Sequence, residues 1–309
     1  MLIDLNTQDR LLAVVYTAYR PDVSFVNRIA PIKNVCDHVF IVDNTPGGHD
    51  FDHAGFTGVT IVQDGVNKGL GRAINIGIDA ARSAGCNYVV LFDQDSTPNA
   101  DLLSNLLSAM TSLGPLAIIA PKLVDDATDL TPKKKRGRNS NDKLKDVFIE
   151  MSCLATSGMC FKIPAASTAT EFCSDFFLDF VDFDWCWRMR RQNYKIYRLE
   201  SLIMHHRLGL EQRRFGPLKF HVPAPFRHYF QFRDGLKLVF RPSVPLYARF
   251  RFSMIIIPKL LVYPFILDRG MHRLKWMVIG LRDAFFNVQG IGAARTCLTK
   301  TGDQIEKIR

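Results

Sequence analysis

No cysteine of this chain stands in a CxxC pair or in a compact Cys/His cluster. The seven cysteines are scattered, and Cys153 and Cys160 are too isolated to define a zinc site. Disulfide scaffolds and structural zinc modules are therefore excluded, and all seven read as thiols of a reducing compartment. The opening residues, MLIDLNTQDR, lack both a basic start and an apolar stretch, so no secretory leader is expected. A run of about 20 apolar residues, the length a membrane-spanning helix needs, is also missing. The most apolar stretch, residues 252–267, is 16 long and contains Pro258, Lys259 and Pro264. There is no internal repeat and no nucleic-acid module, which sets aside solenoids and nucleic-acid partners. Acidic residues run short in the last quarter: from Leu236 onward thirteen Lys/Arg face four Asp/Glu, while the first 235 residues are nearly neutral. A tail so basic wants an anionic partner.

What is present has the pattern of an α/β protein. With 47% hydrophobic and 23% charged residues, the chain is composed to fold. Short, β-branched apolar runs at 11–15, 38–42, 59–63, 88–92 and 116–120 read as strands, and residues 154–163 as a further one. Between them, 69–82 and 102–110 carry apolar residues at helical spacing; Leu70, Ala73, Ile74, Gly77, Ile78 and Ala81 share one face. Strand–helix alternation of this kind predicts a mostly parallel sheet flanked by helices, with ligands at the carboxyl ends of its strands. Residues 125–145, including Lys133-Lys134-Lys135-Arg136, read as a polar surface loop. We divide the chain into a catalytic domain, 1–235, and a basic, apolar helical segment, 236–309.

Polar residues follow four successive strands. Thr17, Tyr19 and Arg20 follow the first, Asp43 the second, and Asn67, Gly69 and Arg72 the third, where a helix opens whose amides suit an anion. The fourth ends in Asp93-Gln94-Asp95. Two carboxylates at i and i+2 past a strand end suit a hard cation such as Mg²⁺ that also takes phosphate oxygens, although alone this triplet serves equally well as a solvated turn. A second cluster, residues 177–188, sets Asp179, Asp182 and Asp184 among aromatics with Arg188. A carboxylate there suits a general base for a hydroxyl; capping by Asp179 or Asp182 and an Asp184–Arg188 pair at i, i+4 would explain it too. The tandem His205-His206 before Gly209 suits a metal or a diphosphate.

Taken in order, these motifs resemble the family 2 inverting glycosyltransferases of the GT-A fold, in particular the bacterial rhamnosyltransferase branch. The matching stretches are IVDNTPGG at 41–48, NKGLGRAINIGIDAA at 67–81, VLFDQDSTP at 90–98, TSG at 156–158, FLDFVDFDWCWRMRRQNYKI at 177–196 and HRLG at 206–209. HYFQFRDGLKL at 228–238 is similar to the branch's later Tyr/Arg segment, with Asp234 where Asn is usual; Asp184 stands where Glu is usual. The resemblance implies that Thr17, Asp43 and Asn67 hold the nucleoside, with Tyr19, Arg20, Gly69, Arg72 and Gln94 around the nucleotide-sugar. It implies Asp93 on the ribose or diphosphate, Asp95 on Mg²⁺ or Mn²⁺ with Asp93 and His206, and Asp182 as the base, with Asp184 and Arg188 beside it. The implied donor is dTDP-L-rhamnose, with UDP-galactofuranose or a UDP-hexose as the alternative. A polyprenyl-diphosphate-linked saccharide is the implied acceptor, in the synthesis of a cell-surface polysaccharide. Basic residues flank the apolar ones from Arg249 onward, the make-up of a segment lying in a membrane interface; a helical hairpin packed against the catalytic domain or used in dimerisation is the alternative. The expected location is therefore the inner face of the bacterial plasma membrane; homo-oligomerisation is left open. A nucleotidyltransferase would need a glycine-rich loop that residues 14–21 lack. A non-catalytic scaffold would have no need of the carboxylates kept here.

Overall fold

The computed structural model describes residues 11–51, 55–125, 147–206, 212–215 and 218–294. In chain order its elements are β1 (Leu12–Ala18), α1 (Phe25–Ile29), β2 (His38–Asp43), β3 (Val59–Gln63), α2 (Leu70–Ser83), β4 (Tyr88–Asp93), α3 (Ala100–Leu113), β5 (Ala117–Asp125), β6 (Phe148–Glu150), β7 (Met159–Lys162), α4 (Val181–Arg191), β8 (Lys195–His206), β9 (Gln212–Phe215), β10 (Leu218–His221), α5 (Arg227–Val239), α6 (Leu246–Ile266) and α7 (Gly270–Phe285). The basic run at 133–136 and residues 207–209 of the HRLG motif lie outside the described residues. The chain divides into two compact units, each drawn from three stretches. Met1–Asn67, Arg72–Glu171 and Met189–Leu208 form the first; Lys68–Gly71, Phe172–Arg188 and Gly209–Arg309 form the second.

The first unit holds an eight-stranded sheet in the order β3-β2-β1-β4-β7-β5-β8-β6. β1 is a near-continuous buried run, LAVVYTA, as expected of a central parallel strand covered on both faces. It pairs in parallel with β2 and β4, and β2 with β3. The strand order steps outward from β1 to β3, then restarts on the other side of β1 with β4, which makes the β1/β4 boundary a topological switch point. Beyond it β7 runs antiparallel to β4 and β5, while β5 and β8 are parallel. Gly77 of α2 lies so near β1 that a Cβ there would meet Val15 Cγ1 at 2.2 Å, so its place on the apolar face reflects close helix–strand approach. Helix α3 is capped by Asn99, whose side chain accepts from the Leu102 amide, and buries Leu102, Leu103, Leu106, Ala109 and Met110, an i, i+4, i+7 stripe.

The expected strand at 154–163 is shorter than its sequence suggested. Only Met159–Lys162 is strand, because Thr156–Gly158 turns, with the Met159 amide donating to Thr156 O at 3.0 Å. Among the described residues of the second unit the regular elements are helices and the β9–β10 hairpin. Helix α5 packs on α6 and α7 around Phe177, Tyr229, Phe230 and Trp276, with Phe177 stacked on Phe230 at 4.9 Å.

Candidate functional site

The strand registers bring the first cluster together. Thr17 pairs with Asp93 and Ala18 with Asp43, while Asp43 also stands opposite Gln63 at the end of β3. The carboxyl ends of four adjacent parallel strands are thus level, about 5 Å apart from one to the next. Hydrogen bonds lace the loops that follow. The Tyr19 amide donates to Gln94 Oε1 at 2.6 Å and the Arg20 amide to Thr45 Oγ1 at 2.7 Å. The Gly47 amide donates to Gly65 O at 2.9 Å. The loops after β1, β2, β3 and β4 therefore form one cross-linked rim. A cavity of about 240 Å³ opens beside it, lined by Pro21, Asp22, Phe25, His49 and Phe51 among others; Asp93 and Asp95 do not line it.

Individual residues of the rim divide their duties. Asp43 is buried, and its two oxygens accept the amides of Thr45 and His49, each at 2.9 Å. It folds its own loop as an Asx turn does, with lone pairs left over on both oxygens. Gln94 spends its side-chain oxygen on Tyr19, and its carbonyl accepts from Arg28 Nε at 2.7 Å; the middle of the triplet braces β1 rather than facing outward. Arg28, on the short α1, was not evident as a site residue, because a lone arginine in a five-residue helix carries no pattern. Asp93 is half-buried and Asp95 exposed. The turn they stand on is closed by the Ser96 amide donating to Asp93 O at 3.0 Å. It is anchored by a short hydrogen bond between the buried hydroxyls of Ser96 and Ser157. The TSG motif thus holds the carboxylate turn from beneath, and its Gly158 amide donates to Leu91 O at 2.7 Å.

Two hard oxygen donors on a pinned, accessible turn fit a divalent cation that fills its remaining positions with water and phosphate oxygens. Among the described residues no three His, Cys, Asp or Glu side chains cluster into a closed metal site. His206 ends β8, its backbone opposite Asp125, and its side chain lies outside what is described. Asn67 and the exposed Arg72 fall within the first unit.

The second cluster is built within the second unit. Gly69 has a left-handed φ of +82°, and a Cβ on it would come within 2.8 Å of Phe177 O; on Gly71 it would come within 2.4 Å of Cys173 O. The Leu70 amide donates to that same Phe177 carbonyl at 2.7 Å. These glycines therefore admit another backbone, and one amide expected to serve an anion is already committed.

Downstream, Phe180 adopts φ +68°, a conformation costly for an aromatic residue, directly before α4. Asp182 lies half-buried in the first turn of α4 and accepts the Phe183 amide at 2.9 Å. Asp184 is fully buried, taking Arg188 Nε at 2.8 Å and an Arg241 guanidinium nitrogen at 3.1 Å. The i, i+4 pair read from the sequence is present, and Arg241 completes a triad the sequence did not announce. With both oxygens engaged by guanidiniums, Asp184 is an anchor, while Asp182 stays half-buried at the start of the helix.

Helix α5 holds the approach to α4. Arg227 donates to Asp179 Oδ1 at 2.7 Å, and the nearby carboxylate raises the guanidinium's proton affinity. Asp234 is paired through both oxygens with Arg233, at 2.6 and 3.1 Å, and accepts the Phe177 amide at 3.4 Å. Burial pushes Asp234 up to about 6, the Arg233 pairing opposing it.

Residues 41–166 match the family Glycosyl transferase family 2. The dTDP-rhamnosyl transferase RfbF of Shigella flexneri is 25% identical over 256 residues, which is 79% of this chain and 86% of that protein. The crystal structure of GalNAc-T7 with UDP, GalNAc and Mn²⁺ superposes with a TM-score of 0.51 at 12% identity over 92% of this chain, which spans 59% of that structure's length. TarS 1-349 of S. aureus in complex with UDP-GlcNAc gives a TM-score of 0.51 at 12% identity, covering 90% of this chain and 81% of that one. At such identities the two structures speak for the fold, which is that of the GT-A glycosyltransferases.

Proposed function

We propose that the chain, a glycosyltransferase whose residues 41–166 match family 2, transfers L-rhamnose from dTDP-L-rhamnose, with inversion, to a polyprenyl-diphosphate-linked saccharide. The observation that carries donor binding is the cross-linked rim at the β1/β4 switch point, where Thr17, Asp43 and Asp93 end level with one another. The choice of rhamnose is supported by the motifs at 90–98 and 177–196 and by the Shigella flexneri relative. Asp93 and Asp95 would hold Mg²⁺ or Mn²⁺, with His206 as a third ligand. When bound, the cation supplies positive charge to the departing diphosphate.

In this reading the rim holds the nucleotide and keeps it oriented. Asp182 accepts the acceptor's hydroxyl proton as that oxygen bonds to the anomeric carbon. The bond from the same carbon to the diphosphate oxygen breaks, and the nucleoside diphosphate leaves on the opposite face. Asp184, Arg188 and Arg241 position the turn that bears Asp182. The protein works at the inner face of the bacterial plasma membrane, where such an acceptor is found.

The test is calorimetric titration with dTDP and UDP, with and without Mg²⁺ or Mn²⁺. It is followed by turnover of dTDP-L-rhamnose with a lipid-linked saccharide. Metal-dependent binding that favours dTDP supports the proposal. Preference for UDP would reassign the sugar to a UDP-linked donor, and folded protein that binds neither nucleotide would refute donor binding altogether.

A further inference from the structure

Helix α6 is built the wrong way round for a helix in water. Leu246, Phe250, Met254, Ile257, Leu261 and Phe265 follow one another at steps of four or three residues and all are exposed, so they line one face. Phe250 is 68%, Leu261 62% and Phe265 85% accessible. Tyr247, Ile255 and Val262 widen the row, and Arg251 is the one charge among these exposed positions.

The packed side carries the polar groups. Arg249 donates to Val244 O at 3.0 Å and to Arg241 O at 2.7 Å, and Ser253 donates to Arg249 O at 3.0 Å. Lys259 lies over the Tyr263 ring at 5.7 Å. The row extends about 30 Å at 1.5 Å per residue. An exposed apolar face of that size marks an interaction surface, since leaving it in water is unfavourable in proportion to its area.

Charge selects the partner. Residues 240–294 contain eight Lys/Arg and two Asp, one of which, Asp283, is buried. Arg251, Arg269, Lys275 and Arg282 are exposed, and Met271, Val278, Phe285 and Phe286 of α7 and its end add apolar surface. Two copies meeting through such faces would bring like charges together. An anionic lipid surface takes both the apolar row and the cations. Among the described residues no helix is long and apolar enough to cross a membrane, and α6 contains Pro258 and Pro264.

We infer that the outer face of α6, with the neighbouring apolar residues of α7, lies flat in the headgroup region of an anionic bilayer and sets the Asp182 segment at that surface. The second half of the inference rests on the lipid-linked acceptor proposed above. Its geometry is the inner side of the same helix. Phe252 meets Phe180 edge-on at 5.2 Å and approaches Phe183 at 6.2 Å and Trp187 at 6.3 Å. Phe180 and Phe183 flank Asp182 in sequence, so the helix that faces the lipid is wedged against the start of α4.

The experiment is co-sedimentation of the full chain with vesicles of phosphatidylcholine alone or mixed with phosphatidylglycerol, without donor or acceptor. Binding to the phosphatidylglycerol vesicles, weakened by high salt, is expected. The triple variant Phe250→Ser, Leu261→Ser, Phe265→Ser should bind at least about tenfold more weakly with an unchanged melting temperature, because all three side chains are already exposed. Arg251→Glu with Lys275→Glu should lose the preference for phosphatidylglycerol.

Absence of wild-type binding to either vesicle, or unchanged binding by the triple variant, overturns the inference. So does a wild-type dimer, seen by light scattering, that the triple variant converts to monomer without any vesicle binding. Nucleotide titration of the same samples separates the two proposals. Nucleotide binding without vesicle binding sinks this inference and leaves donor binding standing, whereas vesicle binding without nucleotide binding sinks the transferase reading and the role given to Asp182 at the surface, and leaves the lipid-binding face of α6 standing.

Discussion

The backbone amide of Tyr19 donates to the side-chain oxygen of Gln94 at 2.6 Å, joining the loop after β1 to the carboxylate turn after β4 across 75 residues of sequence. Removing the acceptor in Gln94→Ala leaves that amide without its partner. The expected cost is about 1 kcal/mol of stability and a severalfold loss of nucleotide affinity as the turn loosens. Gln94→Glu, which keeps the accepting oxygen, should restore most of both. Thermal melts and nucleotide titration read the two effects.

Asp95 and Asp182 should fail in different ways. Asp95→Ala is expected to abolish the metal-dependent part of nucleotide binding, as chelation with EDTA should in the wild type, without lowering the melting temperature of an exposed position. Asp182→Asn should leave nucleotide affinity within about threefold and lower kcat by about 10² to 10⁴. Titration calorimetry beside steady-state kinetics distinguishes the two patterns; a drop in kcat for Asp95→Ala at full nucleotide affinity would contradict the assignment.

Asp184 should behave as an anchor. Asp184→Asn leaves the Arg188 and Arg241 guanidiniums without their shared anion, at a cost of about 3 kcal/mol. The expected signature is a large fall in denaturation midpoint, with a smaller fall in kcat than Asp182→Asn gives in protein that remains folded. A stable, inactive Asp184→Asn would instead make Asp184 the base.

His228 makes stability depend on pH. Burial pushes it down to about 3, and the Arg273 and Lys259 charges act in the same direction. Arg273 lies 3.1 Å from its Nε2, an arrangement in which the neutral ring accepts. On acidification the unfolded chain takes the proton near 6.5, and the folded chain does not until about 3. This contribution is therefore complete above pH 6.5 and lost as pH falls toward 3, at up to about 1.4 kcal/mol per pH unit. Asp234, raised to about 6, acts oppositely between about 4 and 6. The difference between wild type and His228→Gln in chemical denaturation isolates the histidine, and it should shrink as pH falls.

Much of the first unit is legible because β1, β2 and β4 are short apolar runs buried along nearly their whole length, each followed by a polar turn. The convergence of four strand ends could be read for that reason, since parallel strands feeding helices must end on the same side. The antiparallel β7 is shorter than the pattern at 154–163 predicts, because Thr156-Ser157-Gly158 turns and its serine is spent on Ser96. The helix opening at Gly69 reads from sequence as a place for an anion; what Gly69 and Gly71 accommodate is the chain at Phe177 and Cys173, a contact between residues about 100 positions apart that no local pattern announces. Arg28 and Arg241 escaped for the same reason. The apolar content of α6 was plain in the sequence, but which face it turned outward needed the fold, since Pro and Lys interrupt its periodicity.

Each compact unit is stitched from three separate stretches of chain, and that limits how such a protein can be cut or recombined. No single cleavage releases an intact half. Deleting everything after residue 235 would not trim off a tail: it would remove Phe252 from beside Phe180 and Arg241 from Asp184. A chimera meant to inherit this protein's helical unit would have to carry residues 68–71 and 172–188 along with the C-terminal segment, as one inheritance in three pieces.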